Sequence, residues 1–290
     1  MAEPVTWTAA DVARCLQVPT AADDKYSRGV VGVHTGSDAY PGAAVLGVEA
    51  AWRTGVGMVR YLGPARAADR VLAHRPETVT AAGRVQAWLI GSGTDAATRA
   101  PEVTDALREV LAGSLPVVVD AGALDLAVGA VAPVVVTPHA REHAALRTAL
   151  RLGDPVGGRV AAAHETAAAL GGTVLLKGAE TIVTTPSGWT ARVDAGTPWL
   201  ATAGTGDVLG GVLGVLVAAA QAHAETAGGT LGVEDLGPLA ATAAWLHGRA
   251  GVIAARRAGR GRSGPVVALD VAAALPEAVA TALPEAAPAP

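Results

Sequence analysis

The residues best placed to do chemistry in this 290-residue chain are Ala203-Gly204-Thr205-Gly206-Asp207, which lead straight into an apolar run over 208–220. Glycines at 204 and 206 let the backbone turn tightly and aim successive N–H groups at one point. A helix beginning there adds about half a positive charge at its N-terminus, so the loop forms an anion hole suited to phosphate. Asp207 at its mouth has two uses. It caps the helix and offsets the dipole, or it accepts the proton of a substrate hydroxyl attacking a nucleotide phosphate. An ordinary aspartate, with a pKa of about 3.9, is ionised at neutral pH and weakly basic. As a base its value would lie in orientation and late proton acceptance, worth about 10²–10⁴-fold. The loop is neither a Walker loop nor the longer dinucleotide fingerprint.

Lysine usage supplies a second pointer. Of 22 basic residues only Lys25 and Lys177 are lysines. A compact, hydrated point charge does what a planar guanidinium cannot, and both lysines stand beside glycine-bearing loops. Lys177-Gly178 at a strand end reads as a nucleotide contact. His139 follows Pro138 at another strand end, as a helix-start cap or a substrate contact. Asp120 closes an apolar strand, where it bonds loop amides or helps to place Mg²⁺ or phosphate. The remaining histidines, 34, 74, 143, 164, 223 and 247, show no metal-ligand spacing with carboxylates. The single cysteine, Cys15, excludes an internal disulfide and a cysteine cage, and no protein-held metal site is expected.

The elements that must position these groups alternate. Short apolar strands are predicted at 30–34, 58–62, 88–90, 116–119, 134–136 and 173–176. Helices are predicted at 41–54, 65–73, 142–152, 160–170, 207–222 and 236–257, with a hairpin of strands 181–185 and 190–193 and a late strand at 265–269. Continuous apolar strands between helices argue a mostly parallel central sheet with helices on both faces, an α/β fold. Ligands in such sheets bind beyond the carboxyl ends of the strands, where Gly36-Ser37, Gly91 to Gly93, Asp120, His139 and Lys177-Gly178 fall. One domain over 1–275 is expected, with an irregular lead-in over 1–24 that holds one short helix around 9–16. An Ala/Pro-rich disordered tail is expected over 276–290.

Composition excludes several classes. A net charge of −4 and no basic stripe exclude a nucleic-acid or anionic-membrane partner, and Arg256 to Arg262 reads as a solvated turn after a helix. The apolar run 208–220 is too short to span a bilayer, and Gly210 and Gly214 within it mark a close helix contact. No signal pattern precedes Asp24, so a cytoplasmic protein is expected. With no Phe and only 3% aromatics, the core must be packed from small aliphatic side chains.

A family resemblance joins these pieces. Lys25-Tyr26-Ser27-Arg28-Gly29, Gly36-Ser37, Tyr40-Pro41-Gly42-Ala43-Ala44 and Gly91-Ser92-Gly93 come first. Asp120-Ala121-Gly122-Ala123-Leu124, Thr137-Pro138-His139, Leu176-Lys177-Gly178-Ala179-Glu180-Thr181 and Thr202-Ala203-Gly204-Thr205-Gly206-Asp207 follow. In this order, over roughly residues 25 to 250, they resemble the carboxy-terminal domain of NAD(P)H-hydrate repair proteins. The resemblance implies a ribokinase-like fold and an ADP- or ATP-dependent dehydratase that returns hydrated NADH or NADPH to the reduced cofactor, with Mg²⁺. It implies nucleotide contacts at Lys177, Gly178, Ala179, Glu180, Thr181, Gly204, Thr205 and Gly206. It implies hydrate contacts at Ala43, Gly93, His139 and Asp207, with Asp207 catalytic, and a homo-oligomer.

The chain departs from the family pattern at four places. Gly91-Ser92-Gly93-Thr94-Asp95 stands for Gly-Pro-Gly-Leu-Gly, Glu180 replaces a glycine beside Lys177, Ala203 replaces another, and Asp24 stands where a His is common. The epimerase domain often fused in the family is not among these residues. Two rivals share the same anion hole: a vitamin or sugar kinase, and a nucleotide-binding module without catalysis.

Overall fold

The computed structural model describes residues 3–283. Nine strands form one sheet: β1 (Val5–Thr6), β2 (Val30–His34), β3 (Met58–Tyr61), β4 (Ala87–Ile90), β5 (Val117–Val119), β6 (Val134–Val136), β7 (Thr173–Leu176), β8 (Thr181–Thr184) and β9 (Thr190–Val193). Their spatial order is β1-β9-β8-β7-β6-β5-β4-β2-β3, and β8 alone runs against its neighbours. The helices are α1 (Ala9–Cys15), α2 (Pro41–Thr54), α3 (Ala65–His74), α4 (Pro101–Leu111), α5 (Ala140–Ala149), α6 (Gly158–Leu170), α7 (Thr205–Thr226), α8 (Leu236–Ala258) and α9 (Ala268–Ala282).

Strand side chains alternate between two cores. Leu89, Val118, Val135 and Leu175 point into the larger core, with residues of α2, α7, α8 and α9. Ile90, Val117, Val119, Val134, Val136, Val174 and Leu176 point the other way, against Leu107 and Leu111 of α4, Leu146 of α5 and Ala163 of α6. Burial on both faces is why these strands are almost continuously apolar, Thr173 at the start of β7 being the exception.

Small residues set the spacing within the larger core. A Cβ on Gly211 would stand 2.3 Å from the Gly47 carbonyl oxygen, so α2 and α7 touch backbone to backbone there. Gly210 and Gly214, expected at a helix contact, instead face Leu89 and Val31 of the sheet. Among the described residues α7 alone is long and apolar enough to cross a membrane. It packs against α2, α8 and the sheet, with 78% of its apolar window buried, as a core helix does.

Further expectations are corrected, and one helix is added to them. The lead-in is partly ordered on the sheet edge: β1 pairs with β9, and Trp7 donates to Thr242 Oγ1 at 3.2 Å while meeting Trp189 edge-on. A helix, α4, occupies 101–111; Pro101 at its first turn and Val103, Leu107 and Leu111 at four-residue intervals account for it. The segment 265–269 is no strand. Val267 N–H donates to Asp270 Oδ2 at 3.0 Å and caps α9. That helix continues through Pro276 to Ala282, against the disorder expected from 276, because Val271, Ala272, Leu275 and Ala278 are buried beneath it. This packing offsets a proline cost of about 3 kcal/mol. Residues 284–290 of the expected tail lie outside the described residues.

Candidate active site

Backbone bonds continue past the strands and lock their carboxyl ends into one rim. Gly91 N donates to His34 O at 3.2 Å and Gly36 N to Ser92 O at 2.7 Å. Asp120 N reaches Ile90 O at 3.0 Å, Thr137 N reaches Val119 O at 3.1 Å, and Lys177 N reaches Pro138 O at 2.9 Å. The sequence-separated groups of β2, β4, β5, β6 and β7 therefore meet along one edge, opposite the first turn of α7.

Gly204 is the residue just before α7, with φ +87°, and a Cβ there would lie 2.6 Å from Leu46 Cδ1 of α2. Only glycine meets both demands. Thr205 Oγ1 donates to Leu200 O at 2.8 Å and Thr202 O at 2.9 Å, which ties the loop down. The first amides of the helix have no partner within it, and Lys177 approaches this turn, its Nζ 3.7 Å from where a Cβ on Gly206 would stand.

Lys177 Nζ donates to Asp120 Oδ1 at 2.9 Å and lies 3.7 Å from Glu142 Oε2. Burial works against its charge, yet the carboxylates of Asp120, Glu142 and Asp207 outweigh it and hold the ammonium above its ordinary pKa. Asp120 is fully enclosed: Thr137 Oγ1 donates to Oδ1 at 2.6 Å, and Ser92 Oγ to Oδ2 at 2.9 Å. It bonds side chains and an ammonium, rather than loop amides. Asp207, in the first turn of α7, has its carboxyl pushed up to about 6. Burial is the main cause and the Asp120 charge adds to it, with Lys177 and a Ser92 hydrogen bond opposing.

The other expected residues fall around this pair. Gly93, with φ +68°, has room for no side chain, since a Cβ would sit 2.5 Å from Ala43 Cβ. Ala43 lies one helical turn before Gly47, which faces the Asp207 carbonyl. His139 caps α5: its Nδ1 accepts from Arg141 N at 3.1 Å and Glu142 N at 3.3 Å. Accepting at Nδ1 leaves Nε2 as the nitrogen with a proton to give, on an exposed ring. Gly178, Ala179 and Glu180 form the turn from β7 to β8, and Thr181 opens β8. Arg159 of α6 braces the turn, donating to Glu180 O at 3.0 Å and Lys177 O at 3.3 Å. The Glu180 carboxylate turns toward Arg192, 3.9 Å away, while the Lys177 ammonium points to Asp120.

Sequence reasoning missed Ser92, Glu142, Arg159 and His247 as parts of this edge. Ser92 was visible only within the Gly91-Ser92-Gly93 turn, and Glu142 only as the first residue of the helix expected over 142–152. The His247 imidazole on α8 lies by Thr205 with Nε2 buried and unpartnered, and burial lowers its pKa to about 4.

A family model described as NAD(P)H-hydrate dehydratase matches residues 31–271. The bifunctional NAD(P)H-hydrate repair enzyme Nnr of Mycobacterium tuberculosis is 48% identical over 233 residues, covering 76% of this chain and 47% of that protein. The chain thus spans about half the length of the curated relatives it matches. The crystal structure of the ADP/ATP-dependent NAD(P)H-hydrate dehydratase from Bacillus subtilis, co-crystallised with ATP/Mg²⁺, superposes with a TM-score of 0.77 at 26% identity, covering 96% of this chain and 99% of that one. A ribokinase-like superfamily protein from Enterococcus faecalis shares the fold at 21% identity and a TM-score of 0.78, with 96% of each chain covered. The fold is ribokinase-like.

Proposed function

The chain belongs to the NAD(P)H-hydrate dehydratase family, and on that premise we propose that it uses ADP or ATP to return hydrated NADH or NADPH to the reduced cofactor. The observation that carries this reading is Asp207. Its carboxyl, raised to about 6, stands at the mouth of an anion hole and beside an ammonium. A base poised near the working pH is what proton abstraction from a hydroxyl needs.

Hydroxide leaves a ring carbon poorly, and phosphate leaves well. Asp207 takes the hydroxyl proton as the ring oxygen attacks the terminal phosphoryl group, whose bond to the rest of the nucleotide breaks. The Gly204-Thr205-Gly206 amides and Lys177 hold the charge that develops on the phosphoryl oxygens. The ring nitrogen's lone pair then expels phosphate, and the adjacent ring carbon gives up a proton to restore the double bond. On this reading Lys177 to Thr181 and Gly204 to Gly206 hold the nucleotide, and Ala43, Gly93 and His139 join Asp207 around the hydrate. Support for these roles is their convergence on one rim and the chain's agreement with the family motifs.

Magnesium retains several waters and takes one or two carboxylates plus nucleotide phosphates. Among the described residues no group of three or more His, Cys, Asp or Glu forms a metal cage. These residues fit a cation brought in on the phosphates, where it would neutralise their charge during transfer. The family resemblance further supports a homo-oligomer.

Incubation with hydrated NADH and ADP or ATP is expected to restore the absorbance of reduced nicotinamide. Asp207→Asn is expected to bind nucleotide normally while turnover falls by about 10² or more. An equally active Asn variant removes Asp207 as the base. A stable phosphorylated alcohol, formed without recovery of absorbance, would overturn the dehydratase in favour of a kinase.

A further inference from the structure

Six tryptophans, three tyrosines and no Phe make up the aromatic side chains of this chain. All but two of them are wholly or partly buried. The exposed pair are Tyr40, at 61%, and Trp199, at 42%. Tyr40 stands just before α2, its carbonyl oxygen 2.9 Å from the Cβ position of Gly93 and so on the side of the site with Ala43 and Gly93. Trp199 belongs to the segment 194–204, which leads into the anion hole.

That segment joins the two halves of the proposed nucleotide cradle. It leaves β9 after Val193, which pairs with Thr181, and it ends at Gly204. Its course is fixed against α8. A Cβ on Gly248 would stand 2.9 Å from the Ala195 carbonyl carbon, and one on Gly251 would stand 2.7 Å from Leu200 Cδ2. Hydrogen bonds hold the backbone on either side of Trp199. Its N–H donates to Thr197 Oγ1 at 3.4 Å, and its carbonyl accepts from Thr202 Oγ1 at 3.2 Å. Leu200, whose carbonyl accepts from Thr205 Oγ1 at 2.8 Å, packs against the larger core, while the neighbouring indole stays in solvent. A backbone already fixed in this way costs little further ordering when a ligand meets it.

A nucleotide presents both phosphates and a base. Lys177 to Thr181 and Gly204 to Gly206 offer amides and an ammonium, which suit the phosphates, but no flat apolar face. Purine bases stack on aromatic rings, and the indole is the largest of these. We propose that Trp199 is the platform for the base of the nucleotide co-substrate, stacking on it while its phosphates lie between Lys177 and the start of α7. This rests on the reading of those two segments as nucleotide contacts. The base is remote from the reacting phosphoryl group, so the stack holds the bound nucleotide and the transition state equally.

The test measures the Kd of ADP with Mg²⁺ by calorimetry, and steady-state kinetics with hydrated NADH, in wild type, Trp199→Ala, Trp199→Leu and Trp199→Phe. The side chain is exposed, so its truncation opens no cavity in the core. The Ala variant is expected to bind ADP about tenfold more weakly. Its KM for the nucleotide rises to match, while kcat and the KM for the hydrate stay close to wild type. Phenylalanine keeps a flat ring and restores most of the affinity. Leucine keeps apolar bulk without the ring and falls with alanine. An unchanged ADP Kd in the Ala variant overturns the platform, as does a Leu variant that binds like wild type. A raised KM for the hydrate beside an unchanged ADP Kd also overturns it, since the indole then serves the dinucleotide. Wild type that fails to bind ADP removes the nucleotide reading itself, whereas wild type and Ala variant that bind ADP equally remove only the platform.

Discussion

A carboxyl raised to about 6 from an ordinary 3.8 is a cost that the folded protein carries at neutral pH. The folded state binds the Asp207 proton more tightly than the unfolded state does. Its stabilising contribution is therefore full below about pH 4 and lost as pH rises through about 6. Asparagine mimics the protonated form and cannot ionise. Asp207→Asn is thus expected to be more stable than wild type at pH 7 by about 1–2 kcal/mol, reduced from the full shift because the side chain is only half-buried. Denaturant unfolding at pH 7 and pH 4 checks this, and the gap should close at the lower pH. A variant that loses activity while gaining stability places Asp207 among residues kept for chemistry. The same scale resolves Glu180, whose carboxylate partners Arg192 and leaves Lys177 to Asp120.

Among elements, the α2–α7 contact decides where the anion hole sits. The first turn of α7 is held against α2 by Leu46 beside Gly204 and by the Gly47–Gly211 approach. A methyl group on Gly211 would collide with the Gly47 carbonyl and with Ala50 Cβ at 2.8 Å. Gly211→Ala is expected to destabilise by about 1–3 kcal/mol. At Gly214 the new methyl would meet Val31 Cγ2 at 3.2 Å, a side chain able to yield slightly. The better helix propensity of alanine offsets that strain, so Gly214→Ala is expected to stay within about 1 kcal/mol of wild type. Equal midpoint shifts for the two variants in urea would show that helix packing does not distinguish them.

The whole molecule brings its site together from distant parts of the chain: the turn after β7, the start of α7 and the start of α2. A nucleotide touching the first two ties them in the folded state alone. Binding of this kind stabilises by about 2.7 kcal/mol at a hundredfold excess over Kd. ADP or ATP with Mg²⁺ is therefore expected to raise Tm in a concentration-dependent way. A Tm indifferent to both nucleotides at millimolar concentration would count against the proposed nucleotide site.

The residues by themselves determined the parts that local rules govern. Strands at 30–34, 134–136 and 173–176 and the helix at 41–54 stand where apolar runs and turn residues put them. Gly204 stands with φ +87° at the start of α7, because backbone freedom at a helix end is a property of a few consecutive residues. Tertiary structure alone decided what depends on distant neighbours. Pro276 lies inside a helix because α9 buries an apolar face whose partners are far away in sequence. Lys177 pairs with Asp120, 57 residues distant, and Ser92, after β4, donates to the other oxygen of the same carboxylate. The proton affinity of Asp207 follows from that enclosure, since burial and nearby charge are set by the packed site and not by the identity of the side chain.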